Sequence, residues 1–203
     1  NKSVEKFMTE LLYEDEKKAL ERIELFKYNA EKKHIAVYVS VEAEDNSSQT
    51  KSVEKVNENG ESKNENSSIN SKNDDISEQL LRTVRMSFVR QNQLLYLKEE
   101  DGVAAVIELE AGDKVHKLMR QKRKEIEENL RYSRKNVSVS MGIGKLFIGS
   151  DSIKKSVTEA RKANKVIKTD GGTGNLRYYD EIGIYRIFFN LSDDKVLRNL
   201  LTE

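Results

Sequence analysis

Residues 137–189 read VSVSMGIGKLFIGSDSIKKSVTEARKANKVIKTDGGTGNLRYYDEIGIYRIFF, and their patterning sets the fold class. Val137, Val139, Met141 and Ile143 alternate with Ser138, Ser140 and Gly142, a period of two that predicts a strand with one buried face. Ser150, Asp151 and Ser152 then offer side-chain oxygens to cap a helix start. Ile153, Val157, Ala160 and Ile167 follow on one helical face. Gly171 and Gly172 are expected to end that helix, and a short strand, Leu176 to Tyr179, leads into a last helix pair.

Working outward, the N-terminal 30 residues predict a helical segment that packs on the domain. Val4, Phe7, Met8, Leu11 and Leu12 share one helix face, and a second amphipathic stretch carries Ala19, Ile23 and Phe26. His34 to Glu42 (HIAVYVSVE) is β-branched and apolar on both faces, the mark of a central strand. Residues 44–74 are Asn, Ser, Glu and Lys with few large apolar side chains. Such a stretch cannot bury enough surface to offset its ordering entropy, and it predicts a flexible insertion. Order should resume with a capping box, Asp75 and Glu78, before a helix carrying Ile76, Leu80, Val84 and Phe88. Leu95 and Leu97 form one arm of a hairpin and Val103, Ala105, Ile107 and Leu109 the other. Between them Asp101-Gly102 predicts a two-residue turn with positive φ. A long helix follows from about Asp113 to Tyr132. The element order is that of an α+β fold: a ferredoxin-like βαββαβ sheet with helices on one face, plus extra N- and C-terminal helices.

One family shares this stretch. The strand with Gly142 and Gly144, the helix with Glu159, Ala160, Arg161 and Ala163, and the Tyr-x-x-x-Gly-x-Tyr set of Tyr179, Gly183 and Tyr185 resemble the GGDEF-like domain of PucR/CdaR-type bacterial transcription regulators. The resemblance implies the fold of nucleotide cyclase domains of the GGDEF kind. It also places the signature hairpin of those cyclases on Glu99, Glu100, Asp101, Gly102 and Val103. Cyclase chemistry needs two glycines so that backbone can approach a triphosphate, then an acidic pair for metal and polarisation. Here both glycines are Glu and the second acid is Gly102. Two carboxylates where phosphates should lie repel them. The first strand offers Glu42 alone as an acid. A solvated hairpin tip accounts for the same five residues. No catalytic residue, cofactor or metal is therefore expected.

Other motifs carry little chemistry. Phe147 stands where a dinucleotide fingerprint needs its third glycine. GGTGN at 171–175 leads into a strand, so no helix N-terminus waits for a phosphate. Arg120, Lys122, Arg123 and Lys124 form a basic run balanced by Glu125, Glu127 and Glu128, which reads as a solvated helix face. The two histidines, His34 and His116, lie far apart, and no cysteine accompanies them. The 203 residues carry 35% charged side chains that nearly cancel to a net +1, so no global field points to nucleic acid. The absence of cysteine suits a reducing cytoplasm. No apolar run approaches the roughly 20 residues of a membrane helix.

The resemblance implies a central regulatory module that transmits a signal and dimerises, without cyclase activity. DNA contact would pass through a helix-turn-helix that this sequence lacks, continuing beyond residues 191–203. The alternative is a divergent nucleotide-binding or cyclase-like enzyme domain. Apolar faces at both ends, Val4 to Leu12 and Val196 to Leu201, suggest a homodimer; the effector is open.

Overall fold

Strand β1 (Lys33–Ala43) takes the centre of a six-stranded mixed sheet, as its two apolar faces require. The computed structural model describes residues 2–43, 66–88, 94–133, 136–170, 174–185 and 187. Around β1 lie β2 (Leu94–Lys98), β3 (Val103–Leu109), β4 (Val137–Ile143) and β6 (Leu176–Tyr178), in the order β2-β3-β1-β4-β6. The short β5 (Phe147–Ile148) pairs with the start of β1. Pairing is antiparallel except between β4 and β6, which run parallel. Val37 faces Ala105 on one side and Ile143 on the other, which fixes the register of the three central strands.

Helices cover both faces of this sheet. Ile35, Val37 and Val39 point to one side, where α3 (Asn66–Ser87) contributes Leu80, Leu81 and Val84, and α4 (Val115–Ser133) contributes Met119, Ile126 and Leu130. Ala36, Tyr38, Leu95, Leu97 and Val106 point to the other. There they meet Phe7, Met8, Leu11 and Leu12 of α1 (Lys2–Tyr13) and Ile153, Val157 and Ala160 of α5 (Ile153–Thr169). The expectation of helices on one face is thus corrected. So is the single buried face of β4, all seven of whose residues are buried. The physical reason is size rather than polarity. A Cβ on Gly142 would lie 2.1 Å from the carbonyl of Ala160 and 2.3 Å from the amide of Asn164. The small residues that read as a solvent face are the groove in which α5 beds.

Other boundaries also move. α3 begins at Asn66, so Asp75 sits inside it rather than capping it. Once the apolar half of a helix is docked, each further residue adds a hydrogen bond without a new nucleation cost. Residues 44–65 of the expected insertion lie outside the described residues. The second amphipathic segment is split into α2 (Glu16–Leu20) and a 3₁₀ turn at Ile23–Phe26, closed by Lys27 in the left-handed region at φ 58°. Ser152 is the N-cap of α5, but no side-chain hydrogen bond caps it. The α5 helix runs to Thr169 with Asp170 as its C-cap; Gly171 and Gly172 lie outside the described residues. The α1 face is not free for a partner, because Phe7, Met8, Leu11 and Leu12 are spent on the chain's own sheet. The C-terminal apolar set from Val196 to Leu201 lies outside the described residues. Among the described residues no helix is long and apolar enough to cross a membrane.

Candidate functional site

The β2–β3 hairpin carries the five residues singled out in the sequence. Lys98 pairs with Val103, and the Glu99 amide donates to the Gly102 carbonyl at 2.8 Å. The tip is therefore Glu100–Asp101, one residue earlier than the predicted Asp101-Gly102 turn, and both tip residues are exposed. Gly102 does not adopt positive φ. Its need for glycine has another origin: a Cβ there would lie 2.3 Å from the Val39 carbonyl and 3.0 Å from the Tyr38 ring. Val103 is fully buried and belongs to the core.

Glu99 does not project into solvent. Tyr13, the last residue of α1, donates its phenol to Glu99 Oε1 at 2.9 Å. Arg161 of α5 donates from Nε to Oε2 at 3.1 Å and from Nη2 to Oε1. Arg161 Nη2 also donates to the Tyr13 oxygen at 2.8 Å, and its guanidinium lies over the Tyr13 ring. The two adjacent glutamates of the hairpin thus divide. One carboxylate is clamped between two helices and the other stands at the tip. Burial first, then the hydrogen bond to Glu99, pushes the Tyr13 phenol above its ordinary value. Burial, followed by the Glu99 charge, does the same to Tyr38 beneath the hairpin. Both phenols therefore stay neutral and can donate.

A cleft of about 670 Å³ opens beside the hairpin, lined by Val41, Ile76, Leu80, Lys98, Gly102 and Lys168 among others. Its two cations are already engaged, Lys98 with Glu78 and Lys168 with Glu42, the latter at 3.9 Å. The single first-strand acid is therefore half of an ion pair.

The remaining motif residues hold the scaffold. Gly144 lets Ser156 approach, since a Cβ there would lie 2.2 Å from the Ser156 carbonyl. Glu159 is buried and accepts from the Lys145 amide at 3.1 Å. Ala160 and Ala163 are buried, and Tyr179 packs with Ala163, Val166 and Ile182. Tyr185 donates to Asp170, which Arg177 also bridges at 2.9 Å. Gly183 supplies the positive φ, 50°, of the turn between them. Gly174 likewise sits at φ 69° just before β6, in a turn; Gly171 to Thr173 lie outside the described residues.

The basic run on α4 is only partly a solvated face. Lys122 donates to the Ser87 carbonyl and pairs with Glu125 at 3.0 Å. Arg123 donates to the Val139 carbonyl at 2.9 Å and to Glu127 at 2.7 Å. Arg120 and Lys124 are exposed. His34 is the second residue of β1, and the His116 ring lies tilted against Tyr178, with centroids 4.3 Å apart. Sequence reasoning missed three residues. Tyr13 sits just past an apolar stripe, where it reads as an exposed helix end. Arg161 was visible in its motif but without a partner. Asn164 is buried, accepts from Ser40 Oγ at 3.0 Å and donates to the Tyr38 carbonyl at 3.3 Å. No local pattern marks such a bridge.

A family model described as a GGDEF-like domain matches residues 11–166. Among solved structures, the GGDEF domain of YfiN (TpbB) from Pseudomonas aeruginosa aligns over 85% of this chain and 92% of that chain, at 13% sequence identity and a TM-score of 0.41. No curated protein matches the chain in sequence.

Proposed function

This chain belongs to the GGDEF-like domain family, and on that premise we propose that it is a catalytically inactive regulatory module of a PucR/CdaR-type transcription regulator. Its work is to pack, self-associate and pass on a signal. DNA contact belongs to a helix-turn-helix elsewhere in the full-length protein. The observation that carries the reading is the engagement of Glu99 by Tyr13 and Arg161. The first position of the signature, where a cyclase needs bare backbone against phosphate, is here a carboxylate tied to two helices. Glu100 adds a second negative side chain at the tip, and like charge there opposes a triphosphate. A divalent metal, which joining two nucleotides requires, does not fit the residues present: Gly102 lacks the second carboxylate, and Glu42 is paired with Lys168.

The decisive experiment is incubation with GTP or ATP and Mg²⁺ or Mn²⁺. No cyclic product is expected. Product that disappears in Asp101→Ala would overturn the reading. One observation favours the alternative of nucleotide binding without turnover, namely the cleft of about 670 Å³ beside the hairpin. Calorimetry with GTP separates the two: heat that saturates, with no product, would favour the alternative.

A further inference from the structure

We propose that Tyr13, Glu99 and Arg161 form a coupling contact through which the position of α1 sets the order of the hairpin tip and the shape of the cleft beside it. This rests on the reading of the hairpin as regulatory rather than catalytic.

Helix α1 is held on the sheet by its apolar side. Its apolar stripe lies on Leu95 and Leu97 of β2, the arm that leads directly to the tip. Tyr13 ends the helix next to Leu12, so any sliding or lifting of α1 along that arm moves the phenol relative to residue 99. Arg161 comes from the middle of α5, which is bedded in the sheet through Val157 and Ala160. One donor to Glu99 is therefore fixed by the core, and the other travels with the N-terminal helix.

The carboxylate between them is largely buried, with 15% of its side-chain surface exposed. A buried acceptor that loses a donor bears the full desolvation penalty of that group. Displacement of α1 thus cannot leave Glu99 indifferent, and Glu99 is hydrogen-bonded through its own amide to Gly102 across the tip. The residues that feel the change, 99 to 102, are the same residues that wall the cleft. Tyr13 itself is 57% exposed, so this tie adds little to the core; it serves as a link. Coupling of this kind is reciprocal: if α1 orders the hairpin, the hairpin must hold α1 by the same factor.

The test is amide hydrogen exchange on the full 203-residue chain. Tyr13→Phe keeps the ring over Arg161 and removes only the hydroxyl. The Glu99 amide, which donates to the Gly102 carbonyl across the tip, should exchange about tenfold faster, as expected for loss of one hydrogen bond to a charged group. Val37 and Val106 in the sheet should not change. Glu99→Gln, made on the hairpin, should in turn speed exchange at Leu11, Leu12 and Tyr13. In the double variant the hairpin effect should be smaller than the product of the two single effects. Unchanged hairpin exchange in Tyr13→Phe, an equal rise at Val37 and Val106, or effects that multiply independently would each overturn the coupling. The cyclase assay separates this from the reading beneath it. Cyclic product would overturn inactivity and leave the coupling standing, whereas silent hairpin exchange without product would overturn the coupling alone.

Discussion

Gly102 and His34 show how single positions are constrained by what surrounds them. At Gly102 the limit is space, because any Cβ meets the Val39 carbonyl at 2.3 Å and backbone cannot yield as a side-chain tip would. Gly102→Ala should cost about 1–3 kcal/mol, the range for overpacking a filled interior, read as a lower urea midpoint with an unchanged slope. At His34 the limit is charge. The ring is stacked between Tyr28 and Phe147, Nδ1 is bonded to the Lys32 carbonyl at 3.0 Å, and Nε2 is buried without a partner. Glu108 sits opposite on β3. Burial lowers the imidazole below its ordinary value, and the Lys32 bond only partly opposes this. The unfolded ring takes up its proton near pH 6.5, the folded ring lower, so between them the unfolded state binds more protons. His34 thus contributes stability that is present above about pH 6.5 and lost as pH falls through the folded value. Urea midpoints at pH 7.5 and 5.5 should differ more for the native chain than for His34→Phe; equal differences would remove the assignment.

At the scale of elements, α4 completes what β6 leaves undone. Among the described residues, β6 pairs with Met141 to Ile143 and no strand pairs with the outer margin of β4 before them. Below that, the Val139 amide donates to Glu127 at 3.1 Å, the Val139 carbonyl accepts from Arg123, and the Val137 carbonyl accepts from Arg131 at 3.1 Å. Glu127→Ala should therefore cost about 1–3 kcal/mol by orphaning a strand amide and freeing Arg123. Arg123→Ala added to it should cost much less than it does alone; additive losses by thermal denaturation would contradict the shared network. This network also shows where sequence is legible and where it is not. The helix was readable from Met119, Ile126 and Leu130, because apolar spacing reports burial directly. Its basic run looked solvated, because a hydrogen bond to a distant strand leaves no local period. The same holds for β4, where Ser138, Ser140 and Gly142 are small for packing rather than polar for water. It holds again for α3, whose first residues carry no apolar signal. Tyr13 and Arg161, 148 positions apart, could be joined only by the fold.

For the whole molecule, α1 is part of the core and not an appendage. Phe7, Met8, Leu11 and Leu12 are each at most 5% exposed, and together their burial is worth roughly 6–12 kcal/mol as an upper figure. Total stabilities of single domains run about 5–15 kcal/mol. Removing residues 1–13 should accordingly abolish cooperative unfolding rather than merely weaken an association, with calorimetry as the check. A truncated chain that still melted sharply within a few degrees of the full one would show that α1 is dispensable. The central position of β1 and the hairpin itself were readable in sequence, because long apolar runs and turn residues act locally; the helices on the second face of the sheet were not. The clamp on Glu99, which decides the functional reading, was not.

The half of β4 that β6 does not reach has a further consequence. An unpaired strand margin is a template on which another chain can add, and that addition is how sheets propagate into fibrils. Here the three backbone groups at that margin are answered by Arg123, Glu127 and Arg131, charged side chains of a neighbouring helix. The chain guards itself against self-templating without lengthening a strand. The protection arrives only when α4 docks, so a nascent chain whose α4 has not yet settled would be the species most prone to aggregate.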